Sequence, residues 1–81
     1  VEHDPSITFD QYLDARGETC PMPLLKAKRC LNAMVAGQCL KVEASDAGSQ
    51  RDFSAFARLA GHGLVAAQVG ASHFIYYLTK A

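Results

Sequence analysis

Apolar and polar positions alternate residue by residue in some stretches of this chain and recur every three or four residues in others. The switches between these two periods mark out its elements. In "FDQYLDA" (9–15), Phe9, Gln11 and Leu13 alternate with Asp10, Tyr12 and Asp14, which predicts a short strand closed by Asp14. "RGE" (16–18) turns the chain, and Gly17 supplies a positive φ at little cost. From Pro21 to about Ala36, Leu24, Ala27, Leu31, Met34 and Val35 share one helical stripe, with Gly37 as its C′ stop. "CLKVEAS" (39–45) alternates Leu40, Val42 and Ala44 against Cys39, Lys41 and Glu43, a second strand. The polar turn "SDAGSQRDF" (45–53) places Ser49 and Asp52 in the S-x-x-D capping relation. Phe53, Phe56, Ala57 and Ala60 then form the stripe of a second helix, which "GHG" (61–63) ends. "LVAAQV" (64–69), the turn "GAS" and "HFIYYLTK" (73–80) read as a β-hairpin.

The order β-α-β-α-β-β predicts an α/β (α+β) fold. Two helices with one apolar face each would pack on one face of a four-stranded sheet, a two-layer sandwich. The polar stretch 1–8, "VEHDPSIT", contains Pro5 and is expected to be a flexible tail before a single domain over 9–81.

Composition narrows the function classes. The 81 residues carry eight basic and eight acidic side chains, so no net field draws nucleic acid or an acidic membrane. Three cysteines are an odd number and too few for a secreted disulfide framework. No apolar run reaches transmembrane length and no signal peptide is evident. The expected setting is the reducing cytoplasm.

Candidate chemistry then falls on Cys20 in "GETCPMPLLKAK" (17–28). With Cys20 at the N-cap, Pro21 would be N1 and Pro23 N3, so the first turn withholds two N–H groups and leaves those of Met22 and Leu24 near the sulfur. The positive end of the helix would favour thiolate over thiol. Burial as a small hydrophobe is the usual role of a free cysteine, but the cap position and both prolines argue for a reactive one. Cys30 flanks the apolar stripe and reads as packing; Cys39 reads as a partly exposed bystander. Pro23 stands where a C-x-x-C pair would place its second thiol, so the chemistry is that of a single sulfur. His3, His62 and His73 have no ligand spacing with the cysteines, and no metal site is expected.

At these residues the chain resembles a known family. "LDARGETCPMP" (13–23) matches the L-D-x-x-G-x-x-C-P-x-P signature of the TusA/SirA-like sulfur carriers, and the likeness continues through "GQCLKVEASD", "QRDF" and "GH" to "FIYYLTK". The resemblance implies a mixed sheet and a protein that accepts sulfane sulfur on Cys20 as a persulfide. That covalently carried sulfur is its only cargo, with no resident cofactor. A cysteine desulfurase-type donor and a downstream acceptor protein are implied as partners, in tRNA 2-thiouridine formation, molybdenum-cofactor maturation or sulfur oxidation. Asp46 and Arg51 correspond to polar positions flanking the sulfur or contacting partners. Where many members have proline after that aspartate, Ala47 and Gly48 stand here, which predicts a looser turn.

In this scheme a thiolate at Cys20 attacks the outer sulfur of a donor persulfide, and an acceptor thiolate repeats the step. Lys26, Lys28 and Arg29, with Arg16, would form a positive rim that steers acidic partner surfaces. Such a protein is a carrier more than a turnover enzyme. Three other readings compete: a docking module using the helix-free sheet face around Ile75 and Tyr77, a peroxide-sensing thiol, and an RNA-binding domain. The last is opposed by neutral charge and the lack of an aromatic ribonucleoprotein motif.

Overall fold

The computed structural model describes residues 8–68 and 72–81. The expected tail, with His3, lies outside them except for Thr8, as do Val69, Gly70 and Ala71 of the expected hairpin. The elements follow the expected order: β1 Gln11–Ala15, α1 Met22–Asn32, β2 Cys39–Ala44, α2 Ser49–Ala60, β3 Gly63–Gln68 and β4 Phe74–Thr79. The sheet runs β1-β2-β4-β3, parallel between β1 and β2 and antiparallel at the other two pairings. It is a mixed sheet because α1 crosses over from β1 to a parallel neighbour, whereas β4 folds back between β2 and β3.

Register assigns each side chain to a face. Leu13 pairs with Val42 and Ala15 with Ala44; Leu40, Val42 and Ala44 oppose Leu78, Tyr76 and Phe74. These side chains share one core with Ala27 and Leu31 of α1 and Phe53 and Ala57 of α2, so both helices cover the same face. Phe53 stacks on Tyr76 with ring centroids 4.4 Å apart, the contact that seats α2 on the sheet.

The other face departs from simple alternation. Lys41 and Glu43 point away from the helices yet are buried. Glu43 accepts hydrogen bonds from the Tyr12 hydroxyl at 2.5 Å and pairs with His73 Nε2 at 2.6 Å. Burial pushes the Glu43 carboxyl up, but those two bonds, together with the charges of His73 and Lys41, outweigh it and hold it below its ordinary value. The bond to Glu43 drives the Tyr12 hydroxyl up to about 12. Lys41 Nζ lies over two rings, 5.2 Å from the Phe9 centre and 5.8 Å from that of Tyr12, in cation–π contact. Ile75 and Tyr77, expected to offer an apolar docking surface, are instead buried.

The first helix is shorter than its apolar stripe suggested. It stops at Asn32, with Ala33 as C-cap, and Val35 is exposed. Gly37 supplies its positive φ of 92° in the next turn rather than at C′. At this end the Leu31 carbonyl accepts both from the Met34 N–H at 3.0 Å and from Nζ of Lys80, just past β4, at 2.7 Å. Among the described residues no helix is long and apolar enough to cross a membrane.

Candidate functional site

The turn that carries Cys20 is pinned on both sides. Gly17, at φ 86°, donates its N–H to Ser45 Oγ at 2.8 Å, tying the turn to the loop after β2. Asp14 accepts from both the backbone and the guanidinium of Arg16, which closes β1 and holds its carboxyl down to about 2. Asp14 is thus a structural cap of the strand, as expected.

The helix register at Cys20 differs from expectation by one residue. Pro21 is the N-cap of α1, Met22 is N1 and Pro23 is N2, and the Cys20–Pro21 peptide is cis. The Met22 N–H donates to the Thr19 carbonyl at 2.8 Å, so it is not held for the sulfur, and no side-chain cap forms. Pro23 still costs α1 nothing, since the first-turn N–H groups have no intrahelical partner. Cys20 itself is exposed, whereas Cys30 and Cys39 are half-buried; all three thiols are free. Cys30 packs against the core as predicted. Burial, with the nearby Asp10 carboxylate, pushes the Cys39 thiol up.

The sulfur's partner comes from the second helix. Cys20 Sγ donates to Asp52 Oδ2 at 2.6 Å. That hydrogen bond, partial desolvation, and the charges of Asp52 and Asp46 raise the thiol above its ordinary value; Arg51 acts in the opposite sense and is outweighed. The expected activated thiolate is therefore corrected to a thiol held protonated. The hydrogen bond and charges of the two carboxylates act against the positive end of the helix and set the direction of the shift.

The loop before α2 brings these carboxylates in. Asp46 Oδ2 is buried and has no hydrogen-bond partner among the described residues. Gly48 is the N-cap of α2, and a Cβ there would sit 2.9 Å from Asp46 Oδ2, 3.5 Å from Cys20 Cβ and 3.8 Å from Cys20 Sγ. The turn expected to be loose is thus packed beneath the cysteine, where a side chain at Gly48 would have to displace the Asp46 carboxylate. The S-x-x-D cap does not form either. Ser49 is the buried N1 residue and shares a 2.7 Å hydrogen bond with the Tyr76 hydroxyl, while Asp52 turns to the sulfur.

The structure thus brings Cys20, Asp46 and Arg51 together, and adds Asp52 and Gly48, which sequence reasoning missed as site residues. An aspartate one turn into a helix reads as a cap, and only the tertiary approach of α2 gives it a different partner. The expected positive rim is partly neutralised. Lys26 pairs with Glu18 at 2.8 Å, Lys28 Nζ lies 5.4 Å from the Phe56 ring centre, and Arg16 is held by Asp14; Arg29 is exposed. Beside Asp52, an open apolar groove of about 410 Å³ runs between the helices, lined by Leu24, Lys28, Phe56, Ala55, Leu59 and Ala60. Among the described residues no cluster of three or more His, Cys, Asp or Glu side chains could hold a metal ion.

Comparison with known proteins bears on the family and the fold. A family model described as Sulfurtransferase TusA matches residues 11–80. The sulfur carrier protein TusA of Allochromatium vinosum is 47% identical over 73 residues, covering 90% of this chain and 96% of that protein. The sulfur carrier protein TusA of Pseudomonas putida is 37% identical over 73 residues, covering 90% of this chain and 91% of that protein. The crystal structure of a SirA-like protein from Desulfitobacterium hafniense superposes with a TM-score of 0.78 at 21% identity, over 86% of this chain and 96% of that one, and supports the fold.

Proposed function

The chain belongs to the TusA family, and from that premise we propose that it is a sulfur carrier, accepting sulfane sulfur on Cys20 as a persulfide and passing it to a protein thiol. The observation that carries this reading is accessibility: of three free cysteines only Cys20 is exposed, and it sits in the rigid Cys-Pro-Met-Pro turn. A cysteine desulfurase-type protein is the proposed donor. A downstream acceptor protein completes the relay, and tRNA 2-thiouridine formation is one destination it would serve.

The chemistry is two displacements. Cys20, once deprotonated, attacks the outer sulfur of the donor persulfide, and the donor leaves as a thiolate. An acceptor thiolate then attacks the outer sulfur on Cys20, and Sγ becomes the leaving group. No second cysteine stands at the C-x-x-C position to resolve the persulfide and release its cargo as sulfide. The test is incubation with a cysteine desulfurase and free cysteine, followed by intact-mass and peptide mass spectrometry. Wild type should gain the mass of one sulfur atom on the Cys20 peptide, and Cys20→Ser should gain none while melting like wild type. Sulfur that lands equally on Cys30 or Cys39 would overturn the assignment.

A further inference from the structure

In the empty protein the Cys20 thiol spends its hydrogen on Asp52 Oδ2 at 2.6 Å. Loading replaces that hydrogen with sulfur. In a persulfide Sγ carries carbon on one side and the outer sulfur on the other, and has nothing left to donate. Its lone pairs then face the lone pairs of a carboxylate at hydrogen-bond distance. The outer sulfur does not restore the bond, because a persulfide is a stronger acid than its parent thiol and its anion is no donor. That anion also meets the negative charges of Asp46 and Asp52, already felt by the thiol.

We propose that Asp52 sets the direction of sulfur transfer, stabilising the empty carrier over the loaded one and so driving delivery to the acceptor. This rests on the carrier reading above. In the delivery step the acceptor thiol loses a proton and its sulfur attacks the outer sulfur on Cys20. The new S–S bond forms as the old one breaks, and the electron pair of the broken bond passes to Sγ. Sγ takes up a proton, matching the one the acceptor released, and the resulting S–H donates to Asp52. The hydrogen bond regained at that moment is charge-assisted, the stronger kind, and it has no counterpart in the loaded state. Loading runs the same steps backward and must break it. Asp52 touches a reacting atom, so its effect falls on the sulfur itself and not on the fold; its side chain is only half-buried.

The experiment equilibrates the protein, without oxygen, against a fixed ratio of glutathione persulfide to glutathione, and reads the loaded-to-empty ratio by intact mass. Asp52→Asn removes the charge at constant size and should raise the neutral-pH ratio about tenfold over wild type, from the strength of hydrogen bonds to charged groups. Asp52→Ala should shift it in the same direction, and Asp52→Glu should recover part of the wild-type ratio. Because the hydrogen bond needs the S–H, the difference between wild type and Asp52→Asn should fade at alkaline pH as Cys20 ionises. A parallel alkylation profile should show the Cys20 midpoint moving down in Asp52→Asn. Circular dichroism melts confirm that the compared proteins are folded. Equal ratios in wild type and both neutral variants would overturn this proposal alone, as would a shift that persists unchanged at alkaline pH. A wild-type protein that never gains sulfur would overturn the carrier reading and this inference with it.

Discussion

Two helix starts converge on one sulfur and are built by opposite means. The start of α1 is local: Pro21 and Pro23 stiffen the turn, and it has neither an acidic residue nor a side-chain cap. The start of α2 is tertiary. Gly48 lets the backbone pass beneath Cys20, Ser49 turns inward to Tyr76, Phe53 enters the core, and Asp52 reaches out to Sγ. The first helix presents the sulfur; the second sets how tightly it keeps its proton. A cysteine at a helix N-terminus therefore need not be acidic. The dipole contributes only fractions of a kcal/mol up to about 2 kcal/mol, and a carboxylate accepting the thiol hydrogen reverses its sign.

This division predicts where stability and chemistry separate. Removing the ring that seats α2 should have the largest effect. Phe53→Ala deletes a fully buried side chain stacked on Tyr76, and should cost about 3–5 kcal/mol by urea unfolding. A domain of this size has little more than that to lose, so the variant should be near unfolding at room temperature. A cost under 1 kcal/mol would mean that α2 is held by something other than this contact.

Ser49→Ala should come next. It leaves the Tyr76 hydroxyl buried without its 2.7 Å partner, for about 1–3 kcal/mol. A true N-cap serine would cost a similar amount, so a control decides between the roles. Tyr76→Phe with Ser49→Ala should recover much of the loss if the bond to Tyr76 is what matters, since removing both partners strands neither. A double variant no better than the single would return Ser49 to a capping role.

The same comparison separates what could be read in the sequence from what could not. Periodicity was sufficient for every element and for the helix-covered face, because Leu40, Val42, Ala44, Phe53 and Ala57 are apolar where the core needs them. It failed where a polar side chain had two chemically equivalent uses. Ser49 and Asp52 have the spacing of a capping pair, and nothing local says that each finds a partner about thirty residues away instead. Glu43 likewise alternates as a solvent-facing residue, yet is buried by its pairing with Tyr12 and His73. The Cys-Pro-Met-Pro motif located the sulfur, but the one-residue shift in the start of α1 and the approach of α2 decided its proton affinity.

The raised thiol also makes a pH prediction. A group whose folded pKa lies above its unfolded value binds its proton more tightly in the folded state. Its stabilising contribution is therefore complete below the unfolded thiol value, ordinarily 9.0, and is lost as pH rises through the folded one. Cys20→Ser should flatten part of the stability decline above pH 9 without changing the slope near neutrality. Alkylation of Cys20 in the folded protein should likewise reach half-maximal rate at higher pH than in the urea-unfolded chain. A folded midpoint below the unfolded one would restore the helix-dipole account and remove Asp52 from it.

The smallest effects should come from the exposed side of α1. Lys26 is already paired with Glu18 across 2.8 Å, each about a third exposed, so Lys26→Ala should change stability by less than about 1 kcal/mol. It also leaves the local charge balance only one unit more negative. Arg29 is exposed and has no ion-pair partner among the described residues, so its charge is available to act on an approaching protein. Arg29→Glu should therefore slow sulfur acceptance from a protein donor about two- to fivefold at low salt. The difference should vanish once ionic strength screens charges beyond roughly 8 Å. Acceptance from a small neutral persulfide should be unchanged in both variants, because no surface is being steered. If Lys26→Ala slowed the protein donor more than Arg29→Glu did, the Glu18–Lys26 pair would be a partner contact, and the start of α1 would do more than present the sulfur.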